Sequence, residues 1–376
     1  MPDQVRVCGD EISNMEIMNL EDCCEILDSM RIPITESDRE EGKYPYYGAN
    51  GIQDYVADYI FDDELVLLAE DGGNFGSKEK PIAYRVSGKC WVNNHAHVLK
   101  PKASLNVDYL CYSLMFYKVE GMINGATRQK LTQAAMRKMK IPLRSMKEQV
   151  YIVEQLNYIN QIKTQRQREL KLLENLIRAR FVEMFGDPVL NEKGWKIVTV
   201  GDIVTEVRYG TSKPAVEGGK YPYLRMNNLT ADGHLDLKDL KYIDISEDEI
   251  EKCVVRKGDV LFNRTNSIEL VGKTAVFDLT EEMVIAGYII RVRLTKEMLP
   301  VVFSQYMNLE PLKVILRGMA KGAVNQANIN AQELQSIKVY IPDMKLQNQF
   351  ADFVQQIDKS KLRYQLHTHT CQPNTS

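Results

Sequence analysis

The stretch of sequence closest to a nucleotide-binding motif is SIELVGKT, at residues 267–274. It supplies Gly272, Lys273 and Thr274, but Ser267 stands where a phosphate-binding loop needs its first glycine, and no helical pattern follows. A turn beside a strand is the better interpretation. The chain also lacks the G-x-G-x-x-G, Asn/Asp-Pro-Pro-aromatic, His-Glu-x-x-His and Gly-x-Ser-x-Gly motifs. No Glu/Asp-x-Lys sequence follows Glu70-Asp71 at nuclease spacing, so we expect no catalytic residue.

The cysteines and histidines form no metal-binding pattern. The seven cysteines are scattered, and none is part of a Cys-x-x-Cys pair. His95-x-His97 falls on a predicted strand, while His367, His369 and Cys371 fall in a polar end segment that is best interpreted as a solvated terminus. We therefore predict reduced thiols and no metal ligands.

Length and composition indicate a multidomain globular protein. The chain has 376 residues, of which 44% are hydrophobic and 26% charged, and its net charge is −3. At roughly 150 residues per domain, two or three domains are expected. The small net charge excludes a uniformly basic nucleic-acid-binding surface but leaves a local basic groove open. Because the sequence has no apolar run of about 18 residues and no secretory leader pattern, we expect a cytoplasmic protein.

An internal repeat organises the chain. Residues 131–159 resemble residues 329–357, which begin 198 positions later (329 minus 131), and their apolar positions coincide without a gap. Three more pairs of segments match in the same order: 17–26 with 197–206, 42–52 with 219–229, and 63–68 with 258–263. Chance does not easily produce four ordered matches. The repeat predicts a duplicated unit that consists of a globular domain followed by a helix.

Each globular half is rich in strand-like runs such as LVLLAEDG and MVIAGYIIRVRL. These runs predict a twisted, mostly antiparallel sheet with short helices at 108–117 and 303–316. From Met146 onward, apolar residues at 3–4 spacing predict a long helix that ends at Gly186-Asp187-Pro188. A second, shorter helix is predicted from Lys345 to about Leu366. Because a helix with one apolar stripe is unstable alone in water, the two helices should pack together.

A duplicated domain carried on paired helices presents two similar surfaces. Such an arrangement suits a ligand with its own repeat, and duplex DNA is the commonest one. A scaffold with two protein-binding modules and no DNA readout is the alternative. The composition and spacing alone leave both open.

Three segments carry a resemblance to a known family. FVEMFGDPVLNEKGWKIVTVGDI at 181–203, YPYYGANGI at 44–52 and NNHAHVL at 93–99 resemble the specificity subunit of type I restriction–modification systems. So do the paired Gly-Ala, Ile-Pro, Met-Lys and Gln positions of the repeat. The resemblance extends from about Ile17 to Ile357. It departs from the family pattern at the distal helix, which is short and ends in YQLHTHTCQPNTS.

The resemblance implies an α+β fold in which two similar β-rich target-recognition domains are separated by long antiparallel coiled-coil helices, as a pseudo-two-fold duplication. Each domain would read one half of a split, asymmetric DNA target, and the helices would dock two modification subunits. Those partners would bind S-adenosylmethionine, methylate adenine N6 and flip the base. Restriction subunits would use ATP and Mg to translocate and cut DNA. This chain itself would bind no cofactor and no membrane.

The resemblance and the repeat together predict six segments along the chain. They are an N-terminal segment at 1–14, a first recognition domain at 15–143, a central helix at 144–186, a second recognition domain at 187–342, a C-terminal helix at 343–366 that packs on the central helix, and a flexible tail at 367–376.

Polar residues in glycine- and asparagine-rich turns are the candidates for DNA contact, because base edges and phosphates are bound by Asn, Gln, Arg, Lys, Ser and Thr. In the first half they are Tyr47, Asn50, Asn74, Lys78, Asn93, Asn94, His95, Thr127, Arg128, Gln129 and Lys130. In the second half they are Arg225, Asn227, Asn228, Asn263, Arg264, Thr265, Asn266, Lys321, Asn325 and Gln326. Asn and Gly also form ordinary turns, so some of these residues are expected only to shape the backbone.

Apolar residues on the two helices are the candidates for helix pairing and partner binding. They are Val150, Val153, Leu156, Ile159, Phe350, Val354 and Ile357. Lys163, Arg166, Arg168 and Lys171 form a cluster on the central helix, which suits a solvated face or a partner contact, with phosphate contact as the second interpretation.

Overall fold

The structure is a computed structural model that describes residues 16–125, 128–320 and 327–369, with side chains described as far as Leu362. The chain forms two compact units that divide between Thr164 and Gln165, inside one long helix. The predicted segment 1–14 and most of the predicted tail lie outside the described residues. Among the described helices, none is long and apolar enough to cross a membrane.

The first unit is built on a six-stranded sheet, and the unit also has short strands outside this sheet. Its strands are β1 (Glu16–Asn19), β2 (Cys24–Ile26), β3 (Glu41–Gly48), β4 (Gly51–Val56), β5 (Phe61–Ala69), β6 (Ala83–Val92), β7 (Ala96–Pro101), β8 (Ile123–Asn124), β9 (Lys130–Leu131) and β10 (Lys140–Leu143). Its helices are α1 (Leu20–Cys23), α2 (Val107–Met115), α3 (Gln133–Arg137) and the first part of α4 (Met146–Phe185). The sheet order is β2-β7-β5-β6-β3-β4, and β1 pairs separately with β10.

Strand β5 lies at the centre of this sheet and is covered on both faces. Leu65 to Ala69 are all fully buried. Val66 and Leu68 belong to one apolar cluster, and Leu67 belongs to another on the opposite side of the strand. Since both faces are buried, the strand has a continuous apolar run rather than an alternating one.

The second unit is built on two four-stranded sheets, where the first unit has one six-stranded sheet. Its strands are β11 (Lys196–Thr199), β12 (Val204–Tyr209), β13 (Tyr221–Leu224), β14 (Lys241–Ile243), β15 (Val254–Val255), β16 (Val260–Asn263), β17 (Thr265–Asn266), β18 (Thr274–Val276), β19 (Met283–Ile285), β20 (Ile289–Leu294), β21 (Ala327–Asn328) and β22 (Lys338–Ile341). Its helices are α5 (Glu247–Cys253), α6 (Pro300–Asn308), α7 (Glu310–Met319), α8 (Ala331–Ser336) and α9 (Met344–His369). The sheet orders are β12-β20-β16-β18 and β14-β13-β19-β15.

The strand pairing is mostly antiparallel, as predicted, but each unit also has one parallel pair. Strand β3 runs parallel to β6, and β13 runs parallel to β19. The predicted single helix at 303–316 is wrong, because α6 ends at Asn308 and α7 begins at Glu310. Leu309 between them is extended. A helix that continued without a break would press the ring of Pro311 against the backbone carbonyl four residues earlier, which explains why α6 ends before it.

The two units share details that the sequence repeat predicts. Strands β1 and β10 pair antiparallel as β11 and β22 do. The amide of Leu20 donates to the Met139 carbonyl at 2.8 Å, and the amide of Val200 donates to the Ile337 carbonyl at the same distance. These are matching positions of the two copies, so the duplication extends to individual backbone hydrogen bonds.

A fully buried glutamine anchors the first turn of the last helix in each unit. The Gln149 amide donates to the carbonyls of Ser104 and Arg144 and accepts from the Asn106 amide. Gln347, its counterpart, is bonded in the same way: it donates to two backbone carbonyls and accepts from the amide of Leu299. Since all three side-chain groups are paired, the glutamine can be buried at little cost.

Within the second unit, α9 packs antiparallel on the last turns of α4. Phe350 lies 5.4 Å from both Phe181 and Phe185 between ring centroids, in edge-to-face geometry. Further along, Lys361 on α9 lies beside Glu174 on α4. This part of the predicted helix pairing is confirmed, and aromatic rings provide the contact.

We expect Phe350→Ala to lower the free energy of unfolding of the second unit by about 3–5 kcal/mol, because it leaves a cavity between two phenylalanine rings. Urea unfolding of the full chain, followed by hydrogen exchange to resolve the two units, measures the change. Val182→Ala is the control, since Val182 lies on the same part of α4 but is 43% exposed. Equal losses for the two variants would mean that the helix contact contributes nothing.

Candidate nucleic-acid interface

The residue that follows strand β5 in the first unit and strand β16 in the second makes the same pair of backbone hydrogen bonds. In the first unit, the Glu70 amide donates to the His95 carbonyl at 2.8 Å and its carbonyl accepts from Leu131 at 2.7 Å. In the second, the Arg264 amide donates to Tyr288 at 3.0 Å and its carbonyl accepts from Ile329 at 2.9 Å. Glu70 and Arg264 therefore occupy the same place on the scaffold, with opposite charges.

A second pair of matching turns follows β3 and β13. The amide of Asn93 donates to the Tyr47 carbonyl, and the amide of Ala286 donates to the Leu224 carbonyl. These matching bonds place Gly48 of the first unit where the second has Arg225. The backbone position is therefore the same in both units, but the first unit has no side chain there and the second has a guanidinium group.

In the first unit, five of the predicted residues lie together at the end of β5. Arg128 pairs with Asp71 at 2.8 Å, and its guanidinium lies 3.4 Å from the His95 ring. Lys130 pairs with Glu70 at 3.1 Å, and Asn50 donates to the carbonyl of Gly72. Gln129, between the two cations, is exposed. The exposed side chains of this cluster, which are Asn50, Arg128, Gln129 and Lys130, include hydrogen-bond donors and acceptors, which suits readout of base edges.

A buried ion-pair network lies next to this cluster, in the interior of the unit. Asp28 lies 2.7 Å from Nδ1 of His97, whose Nε2 lies 2.9 Å from the Leu131 carbonyl. Both ring nitrogens of this fully buried side chain therefore face an acceptor. Arg31 pairs with Glu70 at 2.6 Å. His97 is therefore an interior support for the loop that carries Lys130.

The two carboxylates of this network stay ionised. Burial opposes their charge, but hydrogen bonds and the nearby positive charges outweigh it, so that the pKa of Asp28 and the pKa of Glu70 both lie below their ordinary values. For Asp28 the donors are His97, the Val98 amide and Gln133; for Glu70 they are Arg31 and Lys130. Asp28, Glu70 and His97 are close enough to hold a cation together. Arg31 and Lys130 already supply positive charge to Glu70, so we interpret the group as an ion-pair network.

In the second unit, the predicted residues Arg225, Asn227 and Arg264 line a single groove of about 610 Å³. The groove is also lined by the segment 211–215 and by Tyr223, Met226, Ala286, Gly287 and Tyr288. Arg264 lies over the Tyr209 ring, with its Cζ 4.9 Å from the ring centroid. Arg225 pairs with Asp239 at 2.7 Å. The groove brings hydrogen-bond donors and an exposed tyrosine, Tyr288, to one concave surface.

Lys273 connects the two turns that carry these arginines, a role that no motif in the sequence predicts. Its side chain is buried, and its Nζ donates to the carbonyls of Met226 at 2.9 Å and Leu229 at 2.5 Å. Its own carbonyl accepts from the Asn263 amide. Burial lowers the pKa of Lys273. The Gly272-Lys273-Thr274 sequence thus follows a turn and begins strand β18, and its lysine braces the protein backbone.

Four of the predicted DNA contacts have side chains that are buried and bonded inside the protein, which favours a structural role for them. They are Asn93, Asn228, Asn263 and Thr265. Asn263, for example, donates to the carbonyls of Thr265 and Tyr288 and accepts from Asn266. Asparagine serves equally as a turn residue at the surface and as a backbone brace in the interior, and sequence pattern does not separate the two.

The remaining predicted contacts vary in their surroundings. Asn74 donates to the Pro81 carbonyl at 3.4 Å, and Tyr47 is half-buried against Tyr84, where burial raises its pKa. Lys78, Asn94 and Asn227 are exposed, and Asn266 is half-buried. Thr127, Lys321, Asn325 and Gln326 lie outside the described residues.

The predicted helix residues divide into buried and exposed groups. Val153, Phe350 and Val354 are buried in the cores of their own units, and Phe350 packs on α4 as the predicted helix pairing requires. Their contact with a partner subunit stays a prediction. Leu156 and Ile357 are half-buried, while Val150 and Ile159 are 40% and 57% exposed. Tyr151 and Tyr158, each 62% exposed on the same helix, were not predicted. Tyrosine is common at interfaces, which could have drawn attention to them.

A family model described as the type I restriction modification DNA specificity domain matches the chain twice, at residues 12–172 and 192–367. The chain belongs to this family. The two matches coincide with the two copies of the sequence repeat. The predicted resemblance and the α+β class are confirmed.

Relatives in the specificity family cover most of the chain. A type I restriction enzyme specificity subunit of Haemophilus influenzae is 28% identical over 93% of this chain and 89% of its own length. The EcoKI specificity subunit of Escherichia coli K12 is 25% identical over 78% of this chain and 68% of its own length. The crystal structure of the type I S subunit from M. genitalium aligns with a TM-score of 0.54 at 14% identity, covering 96% of this chain and 94% of that one. This structural similarity concerns the fold.

We expect Asp28→Asn to destabilise the first unit by about 3 kcal/mol at pH 7, because an amide replaces the buried carboxylate that accepts from the Val98 amide and Gln133 and faces the His97 ring. The pKa of Asp28 is lowered in the folded state, so its contribution is complete above the ordinary value and is lost as the pH falls below it. The difference between variant and wild type should therefore shrink below about pH 4.

Urea unfolding from pH 7 to pH 3 measures this difference. The control is Asp62→Asn on the exposed side of β5. A destabilisation that does not change with pH would contradict the ion-pair interpretation of Asp28.

Proposed function

We propose that this chain is the non-catalytic specificity subunit of a type I restriction–modification complex, in which each unit reads one half of a split, asymmetric DNA target. The observation that carries the proposal is the pair Glu70 and Arg264. They occupy the same scaffold position, held by the same two backbone hydrogen bonds, and differ in charge. Glu70 is buried and paired with Arg31 and Lys130, whereas Arg264 lines an open groove, so the two units would present different side chains to DNA around the same scaffold position.

The helices would dock two modification subunits. In the first unit, Tyr151, Tyr158 and Ile162 are exposed and follow one another at intervals of seven and four, which places them on one face of α4. Val153, on the opposite face, is buried in the core of the unit. An exposed stripe of two tyrosines and an isoleucine resembles the centre of a protein interface.

Cofactors and catalysis would belong to the partners. S-adenosylmethionine would be bound by the modification subunits, which would methylate adenine N6, and ATP and Mg would be used by restriction subunits. This chain would contribute double-stranded DNA binding and the choice of sequence. The complex would work in the cytoplasm.

Exchanging residues 15–142 for the same segment of another family member should change one half of the methylated sequence and leave the other half unchanged. The reason is that each unit carries its own reading turns on its own scaffold. Methylome sequencing of a host strain with the wild-type and the exchanged gene measures both halves. A change in both halves would contradict independent readout by the two units.

Tyr158→Glu should reduce co-purification of the modification subunit by about tenfold or more, since buried tyrosines are common hot spots of interfaces. The folded chain should keep its stability, because Tyr158 is 62% exposed. Tyr55→Glu is the matched control, with a tyrosine that is 50% exposed on β4 of the same unit. Equal behaviour of the two variants would remove the stripe from the proposed interface.

DNA retardation by the purified complex separates this proposal from the two-module scaffold. The complex should retard duplex DNA in a way that weakens steeply with salt, because phosphate contacts release counterions. A scaffold without DNA readout would give no retardation at any salt concentration.

A further inference from the structure

We propose that the second unit recognises a guanine in its half of the target through the guanidinium group of Arg264. This inference rests on the proposed function and adds the chemistry of one recognised base. It is drawn from the position of Arg264, its free donors and the composition of the groove that it lines.

The backbone of Arg264 is fixed on both sides. Its amide donates to the Tyr288 carbonyl and its carbonyl accepts from the Ile329 amide, as described above. The Asn263 side chain next to it is fully buried and donates to the same Tyr288 carbonyl at 3.2 Å. The side chain of Arg264 therefore extends from a rigid point at the end of β16.

The plane of the guanidinium is also restricted. Its Cζ lies 4.9 Å from the centre of the Tyr209 ring, and the hydroxyl of that ring accepts a hydrogen bond from the Ala331 amide at 2.8 Å. Nη1 of Arg264 donates to the Gly287 carbonyl at 3.4 Å. A stacked guanidinium with one nitrogen attached to the backbone presents its opposite edge in a defined direction.

That opposite edge consists of Nε and Nη2, and it has no acceptor among the residues that the structure describes. Nε is buried without a hydrogen-bond partner, and no carboxylate pairs with Arg264 among the described residues. Arg225, the other arginine of the groove, also has a buried Nε without a partner, but its Nη2 is paired with Asp239. A buried donor without a partner is costly, so the edge of Arg264 is suited to a ligand that supplies two adjacent acceptors.

The residues that line the groove favour a ligand of this kind. They comprise Arg225, Arg264 and Lys213, the polar residues Thr211, Ser212 and Asn227, two tyrosines and several small residues, with no Asp or Glu. In the major groove guanine presents the acceptors O6 and N7 side by side, whereas adenine presents N7 beside an N6 donor and cytosine presents a donor. A paired donor edge therefore selects guanine.

The first unit does not share this chemistry at the same position. Glu70 replaces Arg264 there, and it is bonded to Arg31 and Lys130. The buried Glu70 carboxylate has no donor to offer guanine, and its oxygens are already paired with those two cations. The inference therefore applies to the half-site read by the second unit.

The test uses the complex of the full chain with its modification subunits and the target found by methylome sequencing. Each guanine of the second half-site is replaced in turn by 7-deazaguanine, which lacks N7. At one position the wild-type complex should lose affinity about 10-fold or more, as for loss of one hydrogen bond to a charged group, because O6 remains. The R264Q complex, which lacks both bonds, should bind the natural duplex at least that much more weakly and show no further loss with the substituted base.

R264K and R208Q serve as comparisons. Lysine keeps the charge without the paired edge, so R264K should lose discrimination at that position and keep the salt dependence of binding. Arg208 is exposed, pairs with Glu206 and does not line the groove, so R208Q should behave as wild type.

Three outcomes would overturn the inference. They are a second half-site without guanine, an additional loss of R264Q affinity on 7-deazaguanine DNA, and a uniform loss of R264Q affinity on all sequences with a smaller salt slope, which would mean a phosphate contact. If the wild-type complex shows no sequence-specific binding at all, the proposed function itself fails, and this result is distinct from the other three.

Discussion

In each unit, two backbone hydrogen bonds fix the position of the residue that follows the strand β5 or β16. They join Glu70 to His95 and Leu131 in the first unit, and Arg264 to Tyr288 and Ile329 in the second. Because these bonds use only main-chain groups, the side chain at this position can change without disturbing the frame. The scaffold can therefore be copied while the chemistry of the exposed surface changes.

The supports beneath the two turns differ in the same way. The first unit uses charged side chains, with Asp28, His97 and Arg31 around Glu70. The second uses a buried lysine and a buried asparagine that bond to carbonyls. Both solutions satisfy buried polar groups, which is the condition for placing polar chemistry beside an apolar core. A net charge of −3 for the chain is compatible with these local donor-rich surfaces, because only the groove and the turn clusters need positive charge.

Local pattern was enough to predict several parts of the fold. The repeat, the antiparallel strands and the long helix ending near Gly186 depend on residues close together in sequence, such as the Gly186-Asp187-Pro188 stop. The parallel pairing of β3 with β6 and the interior role of Asn263 depend on distant contacts. The carbonyl that Asn263 bonds belongs to Tyr288, 25 positions away. The partners of Lys273 lie 44 and 47 positions away, so no local signal marks it as a brace.

Selection of bound duplexes from a randomised DNA pool, with the purified complex of this chain and its modification subunits, tests the central claim most directly. The two units share a backbone scaffold but carry different exposed side chains. The selected duplexes should therefore contain two different sequence blocks, separated by a spacer of fixed length and variable sequence. A single continuous block, two identical halves, or no enrichment would contradict it.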